Sequence, residues 1–298
     1  MAPDFAQYFH GPLHDRLRAL IRLALDEDGP DPTSNGIFTP ADRMRAVIVT
    51  RQDAVIAGLP VIPLIVDACV ELQPETDPAY TWEALTPEGG TARAGDAIAR
   101  LSGATRHVLR AERVILNIVT RLCGIATLTA RYAQALAGTG TRLLDTRKTQ
   151  AGMRGLDKYA VAAGGGVNHR MSLADMLLIK DNHIDAAGSI TGAVTRLRAA
   201  SPRLPLEVEC RTPAEVSEAV SCKADRIMLD NMDTATLTAA LALIPPGIEA
   251  EISGNVTLET IRVLALTGAR HPDFISVGRI THSVTAADLS MLFAPEDQ

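Results

Sequence analysis

Hydrophobic positions change rhythm twice along the 298-residue chain. Near the start, Leu13, Leu17, Leu20, Ile21 and Ala24 recur at helical spacing, and Gly29-Pro30 ends that helix after an acidic turn. Residues 43–51 alternate through Ala46, Ile48 and Val49 as a strand does, and a second short strand, 55–57, follows the turn at Gln52-Asp53. Pro60 suits the first turn of a helix, where its missing N–H costs nothing, and that helix reaches about Leu72. Residues 80–85 and 91–101 read as two more strands, joined across Pro87-Glu88-Gly89-Gly90. The first hundred residues thus predict an α+β domain with a mostly antiparallel sheet.

Residues 105–136 then hold a helical pattern through Val108, Val114, Ile118, Leu122 and Leu128, with a bend expected at Gly124. It is apolar on more than one face, which predicts burial between domains or subunits. Arg113 falls inside it, where an ion pair with Glu112 or a snorkelled edge position is the bland reading. From Thr141 the rhythm changes again. Apolar runs of four or five residues recur, each closed by a polar residue or glycine and followed by a helical segment. Leu143-Leu144 ends at Asp145, 177–179 at Lys180, and Ile227-Met228-Leu229 at Asp230. The run 206–210 carries Glu207 and Glu209; Ile252 leads into Ser253-Gly254-Asn255, and the 274–277 run into Gly278. Strand, loop and helix repeating in this way give a parallel sheet, and six or more such units suggest a closed or nearly closed barrel with its site at the C-terminal strand ends. A final helix, 285–293, is expected to pack back on the first domain.

Composition narrows the class. Hydrophobic content of 47% with 21% charged residues fits a soluble globular protein, and a net charge of −6 argues against nucleic acid as a partner. Cys69, Cys123, Cys210 and Cys222 form no CxxC pair and read as buried thiols of a reducing compartment. Asp15, Arg16, Arg18 and Arg22 interrupt any secretory pattern, and the apolar run 55–70 contains Pro60, Pro63 and Asp67, too short to span a bilayer. The expectation is a cytoplasmic protein with no membrane partner.

Against this acidic background, residues 145–184 gather Arg147, Lys148, Arg154, Lys158, Arg170 and Lys180, with His169 beside them. Of the 29 basic residues only four are lysines, and three of those four lie here, which suggests a wanted point charge. The bland alternative is a solvated face of a helix and two loops. Lys180 speaks against it, closing a short apolar run as a buried strand delivers a side chain. Arginine forks suit carboxylates and phosphates, and Glu209 and Asp230 are hard oxygen ligands suited to Mg²⁺ shared with substrate phosphates. Glu207 and Glu209 share a strand face, so one of them can equally be a structural partner of the lysines. The glycine-bearing ends Ser253-Gly254-Asn255 and Val277-Gly278 come last, where barrels often hold phosphate on backbone N–H groups. Gly164-Gly165-Gly166 is either a helix C-cap or a close approach to ligand. His10 and His14 share a helical face without a third ligand and read as surface histidines. Together these describe a site for two anionic substrates, one of them a phosphorylated, Mg²⁺-bound sugar.

The blocks DTRKT (145–149), KYAV (158–161), GGGVNHR (164–170), LIKDNHI (178–184), EVE (207–209), MLDN (228–231), ISGN (252–255) and SVGRITHS (276–283) have a recognisable order and spacing. With Glu112-Arg113, Leu116-Asn117 and GIAT (124–127) upstream, they span essentially the whole chain. The chain resembles the quinolinate phosphoribosyltransferases, the decarboxylating nicotinate-nucleotide pyrophosphorylases of NAD biosynthesis. The resemblance implies an N-terminal α/β sandwich domain over 1–113, completed by a C-terminal helix at 284–298. It also implies an incomplete α/β barrel of six or seven parallel strands over 114–283, and a homodimer with shared active sites.

Carried over by position, Arg147, His169, Arg170 and Lys180 resemble the quinolinate-binding groups, and Arg113 the arginine contributed by the neighbouring subunit. Lys148 resembles a pyrophosphate ligand, and Glu209 and Asp230 the acidic pair near the ribose and its Mg²⁺. Ser253, Gly254 and Asn255 with Val277 and Gly278 resemble the loops that hold the 5-phosphate. Gln150-Ala151, Arg211 and Arg279 depart from the family's usual residues without removing a group the chemistry needs. Lys148, Lys180, Glu209 and Asp230 are the expected catalytic groups, with Lys180 or a water supplying the proton after decarboxylation. Two alternatives stand beside this reading: a paralogue acting on another heterocyclic acid, and a non-catalytic phosphate-binding barrel. Retained carboxylates at Glu209 and Asp230 argue against the second.

Overall fold

The computed structural model describes residues 2–201 and 203–295. The chain divides into two compact units. One comprises Met1–Ala130, Gln150–Gly165 and Ser283–Gln298; the other comprises Arg131–Thr149 and Gly166–His282.

The first unit is built on a four-stranded antiparallel sheet. Its strands are β1 (Arg43–Thr50), β3 (Tyr80–Ala84), β5 (Ala97–Ala104) and β12 (Leu289–Pro295), in the order β12-β1-β5-β3; β2 (Ala54–Val55) and β4 (Thr91–Ala92) pair separately. Helix Pro12–Asp28 begins with Pro12 at its first position and buries Leu17, Ile21 and Leu25, a single stripe at four-residue spacing. Glu88 is half-buried in this unit, accepts from the Gly58 and Leu59 N–H groups and from the Tyr159 hydroxyl, and is pushed up chiefly by desolvation.

Two local expectations give way to the structure. The run 91–101 is two strands, because Gly95 turns at φ 95° and the Asp96 N–H closes on the Arg93 carbonyl; the second piece, not the first, pairs with β3. The helix that carries Gly124 is continuous over Thr105–Ala135; a Cβ at Gly124 would run into the Thr285 carbonyl, so the glycine admits a crossing backbone. That helix is long and apolar enough to cross a membrane, but most of its apolar segment is packed inside the fold.

The second lies at the C-terminus. The helix expected at 285–293, and carried into the domain expectation at 284–298, is strand β12, with Leu292 opposite Val47 on β1; residues 296–298 lie outside the described residues. Ala, Leu and Met favour a helix locally, but the open edge of β1 offers a row of backbone partners that no local pattern reveals. Leu289 and Met291 point inward while Leu292 is exposed, the alternation a paired strand requires.

The second unit carries six parallel strands: β6 (Arg142–Leu144), β7 (Leu177–Ile179), β8 (Leu206–Cys210), β9 (Arg226–Asp230), β10 (Glu249–Ser253) and β11 (Phe274–Ser276). Their order is β6-β11-β10-β9-β8-β7, and a single bridge joins Leu144 to Val167 along the free edge of β6. A flat sheet would put β6 and β8 roughly 19 Å apart at ~4.8 Å per strand. His169, two residues beyond that bridge, nevertheless reaches to 2.9 Å from Glu207 on β8. The sheet therefore curls into an incomplete barrel, open between β6 and β7.

Its interior is charged. Arg226 donates to Glu249 at 2.7 Å and lies 3.3 Å from Glu251, and the Arg142 and Arg226 guanidinium groups stack 4.3 and 4.4 Å from the Phe274 ring. Interior residues follow strand parity. Glu207 and Glu209, Arg226, Met228 and Asp230, and Glu251 and Ser253 each alternate with outward apolar neighbours.

Candidate active site

The C-terminal strand ends of the second unit enclose a cleft of about 640 Å³. Each wall is delivered by a strand that stops after a few residues, so the next side chain is set by a rigid backbone. Thr146, Arg147 and Lys148 follow β6, Lys180 and Asp181 follow β7, and Glu209 stands near the end of β8. Asp230 and Asn231 end β9, Ser253, Gly254 and Asn255 end β10, and Ser276 closes β11.

One side of the cleft is cationic. Arg170 donates to the Met176 carbonyl at 2.8 Å, and its charged form is disfavoured first by burial and then by the Arg147 guanidinium. Two like charges are thus held together, and the Arg147 Nε atom is buried with no hydrogen-bond partner among the described residues. The Glu207 and Asp175 carboxylates offset this only in part, since the charged form of Arg170 stays disfavoured, and an added carboxylate or phosphate would relieve it. Lys148 is exposed; its backbone is held by Thr146 Oγ at 3.0 Å and by the Thr281 hydroxyl at 2.9 Å. Gly278 leaves room for it, since a Cβ there would meet Lys148 Cδ at 3.1 Å.

The other side is acidic, and the two sides touch: Lys180 Nζ lies 3.1 Å from Glu209 Oε2. Glu209 is therefore the lysine partner that strand parity left open between Glu207 and Glu209. Glu207 faces the interior with Glu251, and both carboxyls are pushed up, chiefly by burial. His169 lines the cleft. Nδ1 accepts from the Arg170 N–H at 2.7 Å, and Nε2 lies 2.9 Å from a Glu207 carboxylate oxygen and 3.7 Å from one of Glu251. Asp145, fully buried, fixes this segment by accepting from the His169 N–H and the Asn168 amide.

His169, Glu207 and Glu251 together offer ligand atoms within 4.8 Å of one another. Burial pushes both carboxyls toward their neutral forms, and Arg226 lies 3.3 Å from Glu251, so the cluster does not present the pair of ionised carboxylates a cation takes. Glu209 and Asp230, by contrast, open onto the cleft. Two carboxylates beside a phosphate-sized space are the donor set Mg²⁺ takes when substrate oxygens and water complete its shell.

Comparison with known proteins decides the family. Residues 31–123 match the model of the quinolinate phosphoribosyl transferase N-terminal domain, and residues 125–292 that of the C-terminal domain. The chain belongs to the quinolinate phosphoribosyltransferase family. A relative from Synechocystis, a probable nicotinate-nucleotide pyrophosphorylase (carboxylating), is 44% identical over 84% of this chain and 82% of its own. The nicotinate-nucleotide pyrophosphorylase (carboxylating) of Mycobacterium leprae is 36% identical over 93% and 97%. The crystal structure of NadC from Streptococcus pyogenes superposes with a TM-score of 0.86 at 33% identity, covering 99% of this chain and 100% of that one.

Within this phosphoribosyltransferase family fold, the cleft brings together Arg147, Lys148, His169, Arg170, Lys180, Glu209, Asp230, Ser253, Gly254 and Asn255. Val277 is buried and, like Gly278, lies outside the lining; Gly278 borders it through Lys148. Arg113 is exposed on helix Thr105–Ala135 in the first unit and is not among the lining residues. Arg154 and Lys158 leave the sequence cluster altogether: both lie on helix Arg154–Ala163 of the first unit, where Lys158 is fully buried. Gly164 caps that helix, and a Cβ on it would collide with the Ala126 carbonyl, so the glycine serves packing. Arg211 is spent on Glu215 and Asp185, and Arg279 bonds Tyr132. Sequence reasoning passed over Glu251, Ser276 and Asn231. Parity with Ser253 could have found Glu251, since residues two apart on a strand share a face.

Proposed function

We propose that the chain transfers the phosphoribosyl group of phosphoribosyl pyrophosphate to quinolinate with decarboxylation. The products are nicotinate mononucleotide, pyrophosphate and CO₂, a step of NAD biosynthesis. The observation that carries this reading is the half-buried Arg147–Arg170 guanidinium pair, joined by Lys180 in a cleft that also holds two carboxylates and a glycine-bearing loop. Three cations on one wall match an acceptor with two carboxylates, and the opposite wall suits a phosphorylated sugar.

In this mechanism Lys148 neutralises the departing pyrophosphate, and its point charge lies across Gly278 toward the cleft. Positive charge that develops on the ribose is stabilised by Glu209 and Asp230. Glu209 and Asp230 would hold Mg²⁺, which when bound would supply Lewis-acid stabilisation of developing negative charge. Arg147, Arg170 and Lys180 clamp the acceptor so that its ring nitrogen faces the anomeric carbon. Once that nitrogen is quaternised, the adjacent carboxylate leaves as CO₂, because the carbanion left behind sits beside N⁺. Lys180, anchored to Glu209, or a water then returns a proton to that carbon.

The active assembly in this reading is a homodimer in which Arg113 of each subunit completes the neighbour's site; support comes from its exposure on an apolar helix and from the family pattern. The cytoplasm is the compartment that fits four free cysteines. Incubation with quinolinate, phosphoribosyl pyrophosphate and Mg²⁺ should release CO₂ and nicotinate mononucleotide in equal amounts. Equal turnover of nicotinate in place of quinolinate would refute the dicarboxylate assignment.

A further inference from the structure

Asn231 follows the last residue of β9 and has no place in the chemistry assigned above. Its backbone is left-handed, at φ 53°, and so is that of Asn255 beyond the neighbouring strand β10, at φ 48°. Non-glycine residues seldom take this conformation, and asparagine tolerates it best. Three contacts give the arrangement a direction. A carboxylate only accepts hydrogen bonds, so the Asn231 amide turns its NH₂ to Asp230, 2.7 Å from Oδ2. Its Oδ1 is then left to accept from Asn255 Nδ2 at 3.0 Å. The Asn231 backbone N–H meanwhile donates to the Ser253 carbonyl at 3.0 Å. Gly254 is required twice over: its φ is 96°, and a Cβ would overlap the Asn231 amide.

We propose that Asn231 is a positioning residue that couples the glycine-bearing loop 253–255 to the Asp230 carboxylate. The proposal rests on the phosphoribosyl reading above. A phosphate seated on the loop fixes the Asn255 amide, which fixes the Asn231 amide, which pins one Asp230 oxygen and presents the other to the cleft. Coupling of this kind is reciprocal, so a change at Asp230 must be felt in phosphate affinity at the loop.

The test is a double-mutant cycle read by calorimetry. Ribose 5-phosphate is titrated, with chelator present, into the unaltered chain, Asp230→Asn, Asn231→Gly and the double variant. Glycine keeps the left-handed backbone, so the melting temperature of Asn231→Gly should stay near that of the unaltered chain. The effects on affinity should be non-additive by roughly tenfold, the size of one hydrogen bond to a charged group. Asn231→Asp, which still accepts from Asn255 but cannot donate to Asp230, should give the same loss of coupling as glycine. Additive effects would overturn the proposal, as would an Asn231→Gly variant whose only change is a lower melting temperature. Absence of ribose 5-phosphate binding by the unaltered chain would remove the phosphoribosyl reading, and the coupling with it. Binding that persists but is indifferent to Asn231 removes the coupling alone.

Discussion

Lys180 Nζ lies 3.1 Å from Glu209 Oε2, so the cationic and acidic halves of the cleft are joined by one ion pair. The lysine side chain is about half exposed and the glutamate mostly buried. The pair therefore holds Lys180 near the acceptor wall while leaving its remaining N–H groups for substrate. Glu209→Gln should free the lysine, with quinolinate binding weakened about tenfold or less and turnover reduced much more. Separate determination of kcat and KM checks this; a change confined to KM would deny Glu209 any part in the chemical step.

Arg170→Ala should abolish measurable quinolinate binding without unfolding the chain. Its guanidinium is aimed at the cleft and repelled by Arg147, so the fold gains little from it. Losing one desolvated carboxylate contact costs on the order of 2–5 kcal/mol of affinity. Calorimetry giving unchanged affinity would take Arg170 out of the site.

Gly278→Ala is expected to spare stability and harm catalysis. The new methyl meets the middle of the Lys148 side chain and the His282 ring, each at 3.1 Å, and side chains yield more easily than backbone. Displacing Lys148 raises KM for phosphoribosyl pyrophosphate. A melting temperature several degrees lower with normal kinetics would place the crowding elsewhere.

Stability should depend on pH through the buried acids of the barrel interior. Glu251 is raised to about 8, first by burial and then by the neighbouring Glu207. A raised folded-state value means that its contribution is full below the ordinary carboxylate range and is lost as pH rises through about 8. The melting temperature should thus decline from pH 5 to 8.5, and Glu251→Gln, which cannot ionise, should flatten that decline. Parallel pH curves for the two proteins would show that Glu251 is already ionised in the fold.

Arg113→Ala and Arg170→Ala homodimers should each be inactive, and mixing them under subunit exchange should restore activity. In a mixed dimer one site carries both defects and the other carries neither, provided Arg113 acts across the two-fold axis. Exchange confirmed by mass spectrometry with no recovered turnover would place Arg113 in its own chain's site.

The sequence alone determined the strands of the second unit and the residues that end them. A short apolar run closed by Asp145, Lys180 or Asp230 is a local signal, and strand parity fixes which neighbours share its face. It equally determined that Arg147, Lys148, Arg170 and Lys180 belong with Glu209 and Asp230. What it could not determine was set by partners far along the chain. Segment 285–293 has helical composition, yet β12 forms because the edge of β1, over two hundred residues earlier, supplies the hydrogen bonds. Lys158 and Arg154 sit inside the sequence cluster but fold into the other unit, since the helix carrying them packs elsewhere. His169 was legible as a member of the cationic stretch, while the placing of its nitrogens against Arg170, Glu207 and Glu251 required the sheet to curl. Asn231 lay in plain view in MLDN, but an asparagine becomes a strap only when a neighbouring strand brings Asn255 and Gly254 against it. Local sequence fixes which way a side chain leaves its own strand; only the curled sheet decides what it meets.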